Sequence, residues 1–326
     1  MAKVLRLVLL AVLLIAALCG SALLAVEPGK PSVSALEVTA YRAIGAKHPD
    51  PAIRNGDTLA AKFLGADERA ILRKAGSEVV LRALELDTER AWQSLGVRAG
   101  FAMAIHVRTR HMDKAFTDAL QDGAAQVVVL GAGLDSRAYR FNDALRSARV
   151  FEVDFPPTQE YKKKRVRQIF HSLPTHVTYV PIDFTKQDLA TVLDAAGYDR
   201  FRKAVFIWEG VSMYLPEAAV DTTLRFVATH AAPGSRIVFD YFLRGTLAAP
   251  PPALRDSMAR LAATGEPIIF GLPDEDPQGF VKQRGLAILE NARTGELFPR
   301  YVPESVLRAF PELGKAASYI CTAVVP

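Results

Sequence analysis

The stretch Val127-Val128-Val129-Leu130 runs without a polar residue straight into Gly131-Ala132-Gly133. An unbroken aliphatic run of this kind suits a strand buried on both faces, and such strands belong to parallel sheets covered by helices on each side. The signature recurs downstream. Short β-branched runs occupy 126–130, 149–154, 177–182, 204–208, 235–241 and 317–325, and helix-forming stretches at 158–171, 185–196 and 216–231 alternate with them. That alternation predicts a doubly wound α/β sheet. Residues 27–125 carry no strand signal. Apolar spacings of three and four there predict helices at 35–47, 56–75, 77–95 and 98–121, a helical cap ahead of the sheet domain at 126–326. Residues 243–300, with Pro250-Pro251-Pro252 and Pro273-Asp274-Glu275-Asp276-Pro277, read as an insertion before the last strand, placed to lie over the sheet's carboxyl edge as a lid.

Ahead of the cap, Leu7–Val26 is 20 residues without a charge. As a helix it would span roughly 30 Å, the thickness of a bilayer's hydrocarbon core. One reading is a cleaved signal peptide, with Lys3 and Arg6 before the apolar run and Gly20-Ser21-Ala22 as the cleavage site. The other is an uncleaved membrane anchor, which the length favours, with the body facing the cytoplasm. Net charge is +5, from 40 basic and 35 acidic residues, too small an excess to imply a nucleic-acid partner. The two cysteines, Cys19 and Cys321, stand at opposite ends and give no disulfide framework. His106 and His111 are five residues apart, as are His171 and His176, so no metal site is expected.

The chemistry collects at the strand ends. Glycines after β-type runs let the backbone turn tightly and approach a ligand. The second strand ends Phe151-Glu152-Val153-Asp154, an acid 23 residues beyond Gly131, and in nucleotide-binding sheets an acid at about that distance accepts ribose hydroxyls. The third ends at Asp183-Phe184 and the fourth at Trp208-Glu209-Gly210. Four consecutive strands thus bring Gly, Asp, Asp and Glu to the edge where such sheets bind ligands. The position of a dinucleotide fold's third glycine holds Ser136, with Asp135 beside it, and an acidic rim suits a cationic, phosphate-free nucleoside such as S-adenosylmethionine. No Tyr-x-x-x-Lys dyad and no phosphate-loop lysine accompanies the turn.

Leu130–Tyr139, Phe151–Gln159 and Glu209–Pro216 resemble the motifs of the leucine carboxyl methyltransferase-like branch of class I S-adenosylmethionine-dependent methyltransferases. Val107–Arg110, Gly265–Pro267 and Phe270-Gly271 fit the same pattern, so the resemblance covers roughly 38–326. It implies a Rossmann-like seven-stranded sheet with an antiparallel last strand. It also implies that Arg108 holds the cofactor's carboxylate, Gly131 and Gly133 approach its methionine part, Asp154 binds the ribose, and Asp183 and Phe184 address the adenine. Glu209 would lie near the cofactor's amino group. Tyr214, following Glu209-Gly210, is the candidate catalytic side chain, with packing at a helix start as its alternative. The acceptor would be a carboxylate or hydroxyl on a small molecule or protein. Arg244 and Arg300 are read as exposed structural arginines, and Lys162–Arg167 as the solvated face of a helix. Two other functions stay open on the residues: a nicotinamide-dependent oxidoreductase, and a membrane-tethered nucleotide-binding module without catalysis.

Overall fold

The computed structural model describes residues 31–184, 186–309 and 316–326. The apolar run 7–26 and Cys19 lie outside them. Among the described residues, no helix is long and apolar enough to cross a membrane.

Seven strands form one sheet: β1 Gln126–Leu130, β2 Arg149–Asp154, β3 Val177–Pro181, β4 Ala204–Trp208, β5 Arg236–Tyr241, β6 Ala287–Arg293 and β7 Tyr319–Val324. Their order is β3-β2-β1-β4-β5-β7-β6. The first five are parallel, and β7 runs antiparallel between β5 and β6. The period of two explains why the apolar runs are unbroken. Val127 and Val129 face one core with Val205, Ile207 and Val238, while Val128 and Leu130 face a second core with Phe206, Trp208 and Phe239. The first core is closed by the cap. Helix Val33–Ala46 packs on the long helix Ala99–Gln121, which lies against β4 and β5. The second is closed by helices Leu189–Ala195 and Glu217–His230, whose Leu193, Val220 and Leu224 are fully buried.

The glycine turn is followed by a single helical turn, Arg137–Arg140, whose two arginines pair with carboxylates. Two expectations need correction. Helix 56–75 breaks at Leu64-Gly65 and helix 77–95 at Leu86-Asp87, giving four short helices. And the segment 243–300 is not all insertion, since it contains β6. That strand borders the sheet, carries Glu290 and Arg293, and is only partly buried, so it lacks the apolar run that marks the inner strands.

Candidate functional site

Strand order reverses between β1 and β4, and the carboxyl ends of β1 to β5 open there into a cavity of about 580 Å³. Gly131 and Gly133 line it after β1, Asp154 after β2, Asp183 and Phe184 after β3, Gly210 and Tyr214 after β4, and Asp240 at the end of β5. Arg108 enters from the Ala99–Gln121 helix. Seven of the eight residues singled out from the sequence therefore share one cavity.

The glycine turn is fixed by the neighbouring strand. Gly131 and Ala132 both donate to the Val153 carbonyl, at 2.8 and 3.1 Å. Gly131 has φ +64°, and a Cβ there would collide with Val211. Gly131→Ala is therefore expected to cost at least about 2 kcal/mol from left-handed strain and overpacking together. Thermal denaturation checks this, and a loss below half that size would contradict it.

Asp154 is the most informative group. It is buried, accepts from the Gly133 N–H at 2.6 Å and the Phe155 N–H at 2.7 Å, and has no ion-pair partner among the described residues. Burial pushes its carboxyl up to about 6, against the pull of those two N–H groups. A cavity-facing carboxylate with spare acceptor sites and no cation fits the hydroxyls of a ribose. Beneath the turn, Lys162 donates to Glu152 at 2.8 Å and to the Ala132 carbonyl at 3.3 Å. This lysine is buried, so the first residue of the basic run is not on a solvated face.

Glu209 is the residue that does not line the cavity. Its oxygens are taken by Arg108 Nε at 3.0 Å and Arg137 Nη2 at 2.8 Å. Burial alone would raise its pKa, but the Arg137 and Arg108 guanidiniums override that and hold it well below the carboxylate range. Arg108 also donates to Asp240 at 2.7 Å. From Arg137 the network continues to Asp113 and Asp135, through Arg140 to Ser136, and from Ser136 to Asp57 and Arg42. Arg42 closes it by donating to the Leu134 carbonyl at 2.8 Å. The cap is thereby bound to the glycine turn. Asp135 belongs to this network and not to the cavity rim, a correction to the acidic-rim argument.

Two cavity residues were missed. Asp240 ends β5 just as Asp154 ends β2, so the strand-end rule applied one strand further would have found it. Glu266 accepts from Val33 N at 2.6 Å, Ser34 N at 3.1 Å and the Ser32 hydroxyl at 2.8 Å, joining the insertion to the start of the cap. Burial and the nearby Glu266 push the Tyr214 hydroxyl above its usual range. Arg244 and Arg300 lie outside the cavity, paired with Glu217 and Glu290.

A parallel sheet ending in an antiparallel seventh strand, with a glycine turn and carboxylates at its switch point, defines an S-adenosylmethionine-dependent methyltransferase fold. Residues 35–228 match the family model described as leucine carboxyl methyltransferase. A Mycobacteroides abscessus protein, provisionally named an S-adenosyl-L-methionine-dependent methyltransferase, is 30% identical over 280 residues, covering 82% of this chain and 86% of its own length. A Bacillus subtilis protein provisionally named for the same activity is 33% identical over 186 residues, 56% of this chain and 61% of its own. Among solved structures, a DUF574-family protein from Streptomyces avermitilis aligns with TM-score 0.58 at 15% identity, over 89% of this chain and 97% of its own, a likeness of fold. The chain belongs to the leucine carboxyl methyltransferase family and is an S-adenosylmethionine-dependent methyltransferase.

Proposed function

We propose that the protein transfers a methyl group to an oxygen of an acceptor held between the strand ends and the segment 250–268. The observation that carries this reading is the unpaired, buried Asp154 beside the Gly131–Gly133 turn. In it, Asp154 accepts the ribose hydroxyls, Asp183 and Phe184 address the adenine, and the glycine turn and Arg108 hold the methionine part. Glu209 acts indirectly, by setting the Arg108 and Arg137 guanidiniums. Charge supports the choice of ligand. The buried network has four guanidiniums, of Arg42, Arg108, Arg137 and Arg140, against five carboxyl groups, of Asp57, Asp113, Asp135, Glu209 and Asp240. A cofactor of net charge +1 suits that excess, whereas a diphosphate does not.

When bound, S-adenosylmethionine supplies an electrophilic methyl group on a sulfonium. The protein's part is to hold the acceptor oxygen in line and to keep water out. Tyr214, its hydroxyl kept protonated, donates a hydrogen bond and does not act as a base. The oxygen preference follows the family to which the chain belongs. The test is incubation with S-adenosylmethionine labelled with ¹³C at the methyl group and a small-molecule extract. The methyl carbon shift of the product should report an oxygen-bound methyl; a nitrogen- or carbon-bound methyl would overturn the reading. Calorimetry should also show binding of S-adenosylmethionine and not of NAD.

A further inference from the structure

The acceptor side of the cavity has a composition that the methyl-transfer reading does not by itself require. Its walls are Val38 from the first cap helix, Phe101 from the long helix, Phe242 after β5, and Leu254, Leu261 and Ile268 from the insertion. Arg108 is the one cationic side chain among the described lining residues; it is bonded to both Glu209 and Asp240, and in the reading above its remaining donor goes to the cofactor's methionine part. Four carboxyl groups line the same cavity: Asp154, Asp183, Asp240 and Glu266. Of these, Asp183 is paired with Lys186 and Asp240 with Arg108, which leaves Asp154 and Glu266. The net charge of the bound cofactor offsets one of these two and leaves the lining negative.

We infer that the acceptor is an uncharged, apolar molecule bearing a hydroxyl, and that the chamber rejects carboxylates. An anionic acceptor would enter an apolar space in which the protein offers no free counter-charge and the cofactor's single net positive charge is already outweighed by the lining carboxylates, groups of its own sign. An uncharged acceptor loses little on entry and gains the burial of its hydrocarbon. Transfer to a hydroxyl forms the O–CH₃ bond as the S–CH₃ bond breaks, and the bonding pair returns to sulfur. The released proton goes to Glu266. A carboxylate has about four acceptor sites, and three are filled by Ser32, Val33 and Ser34. The inference rests on the methyl-transfer reading, but it parts from the family's name, because a carboxyl acceptor is the case the chamber disfavours.

The test uses the full chain saturated with sinefungin, which keeps a positive charge where the cofactor's sulfonium would stand, and the uncharged dye Nile red as the chamber probe. At pH 7.5, 1-octanol should displace the dye at a concentration at least tenfold lower than octanoate, two probes that share a chain length and differ in the charged end. In Ile268→Lys the gap should shrink below about threefold; Leu254→Lys repeats the test if the first variant does not fold, and retained sinefungin binding certifies either one. Equal displacement by octanoate, or no dye binding, overturns the inference while leaving the methyltransferase reading intact. Failure to bind sinefungin would instead overturn the cofactor reading.

Discussion

Asp154→Ala should lower affinity for S-adenosylmethionine by roughly 10²–10⁴-fold, since each hydrogen bond to a charged group contributes about 1.5–3 kcal/mol and a ribose offers two. The variant also removes the acceptor of the Gly133 and Phe155 N–H groups, so thermal denaturation must show that the fold persists. A pH profile separates ribose binding from simple support of the turn. The carboxyl of the free protein is held up to about 6 by burial, while the ribose hydroxyls need it ionised. Affinity should therefore be flat above about pH 7 and fall toward tenfold per unit below about 6. Asp154→Asn should bind weakly at every pH and lack that slope. Calorimetry from pH 5 to 8 measures both. A loss under threefold in the alanine variant, or the same slope in the asparagine variant, would remove Asp154 from the site.

Most of the sheet was legible because its inner strands are buried on both faces, and a segment that must be apolar at every position announces itself in sequence. Val127–Leu130 and Ala204–Trp208 are such segments, and all five residues of each strand are buried. β6 was not legible for the converse reason. Its partner β7 covers one edge only, so Glu290 and Arg293 are tolerated and the run carries no pattern. The site divides in the same way. Residues at strand ends follow the strands, which is why Asp154 and Asp183 could be named from sequence and Asp240 could have been. Glu266 was reached only as the centre of the Gly265–Pro267 motif, without a role, because its meaning lies in Ser32, Val33 and Ser34, more than 230 positions away. The true role of Glu209 could not be named either. A carboxylate at a strand end looks the same in sequence whether it faces a ligand or an arginine from the cap.

That distinction gives the largest expected effect on stability. Glu209 has 7% of its side chain exposed and supports two guanidiniums, of which Arg137 is 1% exposed. Removing one member of a buried ion pair costs about 3–5 kcal/mol, because the charge left behind stays desolvated without its partner. Glu209→Ala should therefore lose at least that much at pH 7, and Glu209→Gln somewhat less, since the amide keeps the shape and one acceptor. Urea denaturation measures the loss. The pH dependence has a definite sign. The folded protein holds the Glu209 pKa well below its unfolded value, so the stabilisation is complete above the ordinary carboxyl range and disappears as pH falls through the lowered value. The gap between wild type and Glu209→Gln should hold constant from pH 7 to about 5 and narrow below about 4. Because Arg108 bridges Glu209 and Asp240 at the cavity wall, cofactor affinity should fall with stability. A variant as stable as wild type would mean that the cap is held to the glycine turn by packing alone, with the arginine network contributing nothing to the site's geometry.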